Sequence, residues 1–199
     1  MIRRSYRHAL IGFSLMEMLI VIVILAILTG ISIPAFIQIT QSQELTNSGA
    51  RLIDDWKSDR QSALTLNRPV QIRLFHGTPL GNGYQSVLLN QDGTVDRPLR
   101  PFKKISNNIT FLVSSNYSTL ISESFDLTTG VATIQGNSLN YTAFTFRPDG
   151  STDLLPTTAG GESWHLTLIN RNTTGTILPE NFLTIQIDSQ TGSTTSYRP

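Results

Sequence analysis

The chain has 199 residues, of which 39% are hydrophobic and 15% charged, and it contains no cysteine. This length fits one domain with a hydrophobic core plus a short additional element, and the lack of cysteine excludes disulfides and thiol chemistry. The formal net charge is +1, but beyond residue 12 twelve basic residues face fourteen acidic ones, which argues against a strong electrostatic nucleic-acid binder.

The first feature along the chain is an apolar run of 21 residues, 13–33, whose single charge is Glu17. A helix of this length spans a bilayer. Arg3, Arg4 and Arg7 precede the run and are expected to stay on the cytoplasmic side, which places the bulk of the chain outside. The sequence therefore predicts a transmembrane helix over 13–33.

Three interpretations of this run compete. A secretory signal peptide predicts a shorter apolar core and a cut after small residues that follow it, and no such site ends the run. A plain membrane anchor explains the length and the arginines but leaves Glu17 without a role, although a carboxylate in a membrane helix usually marks function. A prepilin signal instead places the cut before the run.

The sequence G-F-S-L-M-E, from Gly12 to Glu17, resembles the cleavage and methylation site of type IV prepilins and type II secretion pseudopilins. The resemblance implies that prepilin peptidase removes the leader 1–12, cutting between Gly12 and Phe13, and methylates the amino group of Phe13. Glu17 is then the fifth mature residue, where the family carries its glutamate. Pro34 occupies a position where many pilins also have proline.

Glu17 is costly in an apolar setting unless it meets an opposite charge. Pairing with the free amino group of Phe13 on a neighbouring subunit would neutralise both charges and fix the register of assembly. The alternative is a tolerated, protonated carboxylate near the membrane edge. Pro34 lacks an N–H and is expected to kink the helix, the alternative being a helix end at the membrane surface.

After Pro34 the sequence becomes polar but keeps helical periodicity, which predicts an amphipathic continuation over 34–68. Pro69 should end the helix, because the residue before a proline avoids the α region. The predicted apolar stripe consists of Leu45, Leu52, Trp56, Ala63 and Leu66.

Short runs rich in Val, Ile, Thr and aromatic residues follow and predict strands, of which Val70–Phe75 alternates most clearly. Asp92-Gly93 predicts a hairpin turn, and Asp149-Gly150 a turn between strands. Loops are expected where prolines cluster, around Pro79, Pro98–Pro101 and Pro156.

These elements predict an α+β, pilin-like fold class, with a long N-terminal transmembrane and amphipathic helix packed on a C-terminal antiparallel β-sheet domain. The expected organisation is a leader (1–12), a transmembrane and assembly helix (13–33), its amphipathic continuation (34–68) and a periplasmic β-rich domain (69–199). The localisation implied by the resemblance is the bacterial inner membrane, single-pass, with a cytoplasmic N-terminus and a periplasmic C-terminal domain, or incorporation in a filament.

Three later segments carry the resemblance further. Ser58–Leu74 resembles the helix-to-first-strand segment of GspH/FimT-type minor pseudopilins, Phe144–Thr152 their penultimate strand and turn, and Phe182–Pro199 their closing hairpin. The last two segments also resemble the prepilin-like D protein of the Verru_Chthon cassette. The implied function is a minor pilin or pseudopilin, a structural subunit of a type II secretion or type IV pilus-like filament. Its expected partners are prepilin peptidase, other pilin subunits and inner-membrane lipid.

One basic cluster lies outside the leader. Arg97, Arg100, Lys103 and Lys104 could contact phosphate in a DNA-binding minor pilin of natural transformation, the FimT-like alternative. A solvated proline-rich loop is the favoured interpretation, because four charges make a small footprint. The arginine-rich motif of FimT-like closing hairpins is replaced here by Gly192–Thr195, with Arg198 alone nearby, so nucleic acid is the less favoured partner.

Motifs for catalysis and for metal binding are missing from the sequence. There is no G-x-S-x-G nucleophile motif and no His or Cys pair at metal-ligand spacing. We therefore expect no enzyme activity, no cofactor and no metal site.

Overall fold

The computed structural model describes residues 14–122, 125, 127–156, 163–171 and 178–199. One long helix, one short 3-10 turn and nine strands occur in this part of the chain. They are α1 (Leu15–Leu66), β1 (Val70–Phe75), β2 (Gly83–Leu89), β3 (Val95–Lys104), β4 (Ile109–Phe111), the 3-10 turn Thr119–Ile121, β5 (Thr128–Ile134), β6 (Asn137–Phe146), β7 (Trp164–Asn170), β8 (Phe182–Ile187) and β9 (Thr194–Tyr197).

The chain divides into two compact units, Met1–Thr40 and Gln41–Pro199. The described part of the first unit is helical from Leu15 onward. The second unit contains the remainder of α1 and all nine strands. Helix α1 ends where Asn67 adopts a left-handed conformation, φ 51°, and Arg68 N–H donates to the carbonyl of Ala63 at 3.2 Å, which is a common way for a helix to stop.

The predicted transmembrane helix over 13–33 was wrong, because no helix in the described ranges combines the length and apolar character needed to cross a bilayer. The single-pass inner-membrane localisation is corrected with it. The structure has no separate segment ending at Ile33: the helix continues to Leu66. Within 13–33 this helix carries the polar residues Glu17, Thr29 and Ser32.

The predicted fold class is corrected as well. It included the transmembrane element and one sheet, whereas the second unit has two antiparallel sheets. Their strand orders are β3-β2-β1-β6-β5 and β4-β7-β8-β9. Two sheets form because the strands after residue 160 pair among themselves and with β4, so that both sheets can bury apolar side chains in one core.

Within the second unit, α1 lies against this core. Leu45, Leu52, Trp56 and Ala63 of the predicted stripe are fully buried, and Leu66 is 44% exposed at the helix end. The Trp56 ring meets Phe144 of β6 edge-on at 5.4 Å. Gly49 gives close access to β8, since a Cβ there would stand 2.6 Å from Leu183 Cδ2.

The two glycine turns were predicted correctly, but one of the three loops was not. Gly93 and Gly150 have φ of 84° and 85° and close the β2–β3 hairpin and the turn after β6. Pro98–Pro101, predicted as a loop, lies inside β3. Because β3 is an edge strand with register irregularities against β2, its prolines need not donate to a ladder.

Candidate assembly interface

The described residues of the first unit present apolar side chains around the helix. Leu15 is 85% exposed and Phe36 67%. Contiguous apolar surface of this extent on a monomer marks an interaction site. Sixteen large apolar side chains of this segment are exposed, namely Leu15, Met16, Met18, Leu19, Ile20, Val21, Ile22, Val23, Ile24, Leu25, Ile27, Leu28, Ile33, Phe36, Ile37 and Ile39.

The hydroxyl groups in this segment are satisfied within the helix. Thr29 Oγ1 donates to the carbonyl of Leu25 at 2.7 Å, and Ser32 Oγ donates to that of Leu28 at 2.8 Å. Such back-bonding removes the need for an external polar partner. The surface that 15–39 offers to a partner is therefore mostly apolar, with Glu17 and Gln38 as its other exposed polar side chains.

Glu17 lies in the first turn of α1, where the helix dipole favours a negative charge. Its side chain is exposed and forms no ion pair with any residue in the described part of the chain. Gly12 and Phe13, the predicted processing residues, lie outside the described residues. The assembly role of Glu17 stays a prediction, and the structure leaves its carboxylate available to another molecule.

The backbone is helical on both sides of Pro34 and through it. The predicted kink at this residue is not tested and remains a prediction.

The predicted basic cluster is divided between paired and unpaired charges. Arg100 Nε donates to Asp59 Oδ1 at 2.6 Å, and Lys103 Nζ donates to Asp55 Oδ2 at 2.6 Å. Arg100 also donates to Ser58 Oγ at 2.6 Å. These contacts join edge strand β3 to helix α1. Two of the four basic residues of the predicted cluster, Arg100 and Lys103, therefore have a structural role.

Arg97 and Lys104 are exposed and form no ion pair within the described ranges. Arg198, the lone arginine near the closing hairpin, donates to Ser42, Thr46 and Asn181. The two cations without an ion pair stand near opposite ends of β3, so a single phosphate group could contact only one of them. The phosphate-contact role remains a prediction, and no observation here favours it.

The acidic partners of β3 were not found by sequence reasoning. Asp59 is fully buried, and burial raises the pKa of its carboxyl although Ser86 and Arg100 hydrogen bonds oppose the rise. Burial also opposes ionisation of Asp55, but hydrogen bonds from Lys103 and Tyr84 lower its pKa overall. The spacing of Asp55 and Asp59, one helical turn apart, was the available signal.

Comparison with known proteins finds no matching family model, no similar curated protein and no similar solved structure. The pilin and pseudopilin assignment therefore rests on the residues that carry the resemblance.

Proposed function

We propose that this chain is a structural subunit of a pilus-like filament, a minor pilin or pseudopilin of the GspH/FimT type that prepilin peptidase matures. The observation that carries the proposal is the exposed apolar surface of helix residues 15–39. This surface begins within the Gly12–Glu17 sequence. An apolar helix surface with a processing site at its start is what a helix-built filament requires of each subunit.

The partners that fit this surface are the corresponding helices of neighbouring subunits. Fully burying one large apolar side chain is worth about 1.5–3 kcal/mol. Sixteen such side chains can therefore offset the association cost of about 4–15 kcal/mol. The polar second unit, Gln41–Pro199, supplies the surface that a filament exposes.

Glu17 supplies specificity within this otherwise non-directional packing. After cleavage the amino group of Phe13 is a free cation, four residues before Glu17. A carboxylate that enters an apolar bundle costs less when it meets such a cation on the adjacent subunit. The pair then fixes the axial register between two helices.

The test is to produce the full-length chain in cells that contain prepilin peptidase, and to measure its intact mass and its recovery in sheared, pelleted filaments. We expect the loss of residues 1–12 plus the gain of one methyl group. Glu17→Ala should have the same processed mass but be largely lost from the pellet, because the charge pair that fixes the register is gone.

Two further variants provide controls. Gly12→Val should stay uncut, whereas Asp54→Asn, at an exposed carboxylate outside 15–39, should be processed and assembled normally. An intact leader in the unmodified chain would overturn the proposal. Normal incorporation of Glu17→Ala would remove Glu17 from the mechanism.

A further inference from the structure

The five-stranded sheet has a second face, opposite the one that packs on α1, and this face carries a buried arginine. In β1, Val70, Ile72 and Leu74 belong to the core, so the alternate residues point to the other face. Among them Arg73 is only 9% exposed. It forms no ion pair with a carboxylate in the part of the chain that the structure describes.

The Arg73 guanidinium is held on one side and stacked on another. Its Nε donates to Gln71 Oε1 at 2.9 Å, and its Cζ lies 4.5 Å from the centre of the Tyr141 ring. The ring has room because residue 130 is glycine: a Cβ there would stand 2.6 Å from the Tyr141 hydroxyl. Gln71, Tyr141 and Gly130 thus fix the position and plane of the charge.

The outer edge of this guanidinium is unoccupied. No hydrogen bond from Nη1 or Nη2 is formed within the described ranges. Neither atom is among the described polar atoms that are both buried and without a hydrogen bond, so both retain contact with solvent. Two parallel N–H donors therefore face outward from a rigidly held group.

Gln85 of β2 stands directly opposite Arg73. It is only 7% exposed, yet its amide makes no hydrogen bond to another described residue. Buried polar groups are normally hydrogen-bonded. Neither atom of the Gln85 amide is among the described buried polar atoms without a partner, so this amide, like the guanidinium beside it, still reaches solvent and can donate to the same ligand.

The charge and the planar shape of the Arg73 guanidinium indicate which class of ligand fits this site. A planar guanidinium fork matches a carboxylate or a phosphate. The residues that flank Arg73 on this face, Gln71, Phe75, Gln85, Tyr141 and Ala143, carry no second positive charge. A single cation balances a monoanionic carboxylate better than a phosphate dianion.

We propose that Arg73, with Gln71, Gln85 and Tyr141, forms a binding site for a carboxylate group, either an acidic side chain of a partner protein or a free carboxylic acid such as a chain end. The carboxylate accepts from both Nη atoms of Arg73 and from the Gln85 amide. This site lies in the second unit and is independent of the filament function proposed above.

The test titrates the ¹⁵N-labelled full-length chain in a neutral detergent and follows the Arg73 Nε–H resonance, assigned by its loss in Arg73→Met. The probes are N-acetyl-glutamate α-amide, which carries only a side-chain carboxylate, and N-acetyl-glutamine, which carries only a chain-end carboxylate. The doubly amidated neutral analogue and inorganic phosphate complete the set. We expect saturable shifts with at least one carboxylate probe, and the stronger of the two identifies the source.

Two substitutions at the site and one control outside it test the proposed binding while the chain stays folded. Arg73→Met should weaken carboxylate affinity about tenfold or more, the loss expected for hydrogen bonds to a charged group. Because Arg73 has no ion-pair partner among the described residues, its replacement leaves no buried carboxylate without a cation. Gln85→Leu should weaken binding less. Arg147→Met, at an exposed arginine just after β6, should leave the affinity unchanged.

Four results would overturn the proposal. They are absence of saturation with both carboxylate probes, equal shifts with the neutral analogue, binding of phosphate alone, and equal weakening by Arg147→Met and Arg73→Met.

Discussion

Within helix α1, residues 15–40 and residues 41–66 differ in where their apolar side chains lie. In the first stretch large apolar residues surround the helix and are exposed, as Phe36 is at 67%. In the second they form a stripe, and Leu52 and Trp56 are fully buried in the core of the same chain. A stripe at helical spacing finds its partner within the chain, whereas an all-round apolar surface needs partners from outside.

The charged residues differ in the same way. In the second stretch Glu44 accepts from Ser106 and Asn108, and Arg60 donates to the carbonyls of Gly150 and Thr191. In the first stretch Glu17 has no such partner among the described residues. The second stretch thus satisfies both its apolar and its charged groups within the chain, whereas the first leaves both kinds exposed.

The largest expected difference in stability is between Trp56→Ala and Phe36→Ala, and it tests this contrast between the two stretches of α1. Trp56→Ala should lower the free energy of unfolding by about 3–5 kcal/mol, because it opens a cavity beside Phe144. Phe36→Ala should change it by less than about 0.5 kcal/mol, since the ring is exposed. Urea unfolding of the full-length chain in neutral detergent, followed by far-ultraviolet circular dichroism, measures both.

Trp56→Phe is the matched control for the cavity. It keeps an aromatic ring and removes an indole N–H that has no hydrogen-bond partner, so its cost should be well below that of the alanine variant. Equal destabilisation by Trp56→Ala and Phe36→Ala would contradict the division of α1 into internal and external apolar surfaces.

The sequence predicted most of the local elements of the second unit. The strand Val70–Phe75 was predicted at its observed bounds. Gly93 and Gly150 were placed in turns from their Asp-Gly pairs, and both have positive φ in the structure. Pro98–Pro101 was misread as a loop. Proline excludes a central strand, but it is compatible with an edge strand, and edge position depends on strand order, which local sequence does not encode.

The next effect tests the charged side of the comparison. Arg100→Met should lower the free energy of unfolding near neutral pH by about 2–3 kcal/mol, because it leaves the buried Asp59 carboxylate without its cation. This is less than the about 3–5 kcal/mol typical of fully buried pairs, since the Arg100 side chain is 27% exposed. Chemical unfolding at pH 7 measures the loss.

The double variant Arg100→Met with Asp59→Leu separates a lost pair from a stranded charge. If the stranded charge causes the loss, removing Asp59 as well should recover much of the stability. No recovery would mean that Arg100 acts through packing. Arg97→Met, on the same strand but without an ion pair among the described residues, should be close to neutral.

The candidate sites were less predictable than the strands. Gly12, Phe13 and Glu17 are adjacent in sequence, so a local motif could single them out. The pairing of Arg100 with Asp59 and of Arg73 with Tyr141 joins residues 41 and 68 positions apart. Such contacts depend on how the strands are ordered and which face each side chain takes, and a single sequence gives neither.

The smallest effect is a dependence on pH that distinguishes Asp55 from its neighbour Asp54. The folded state lowers the pKa of Asp55, so it binds that proton less tightly than the unfolded chain. The resulting stability is present above the ordinary aspartate pKa of about 3.9 and is lost as the pH falls through the lower folded value. Asp55→Asn should therefore reduce stability at pH 6 by up to about 1 kcal/mol, because its partner Lys103 is partly exposed. The difference in stability from the unmodified chain should shrink below the ordinary aspartate pKa.

Asp54→Asn, at an exposed carboxylate without an ion pair among the described residues, should show no such dependence on pH. Urea midpoints measured from pH 7 down to the acid limb would check this. A deficit of Asp55→Asn that stays constant over the whole range would mean that the side chain contributes through its shape, and that the charges of 41–66 matter less to the fold than their contacts imply.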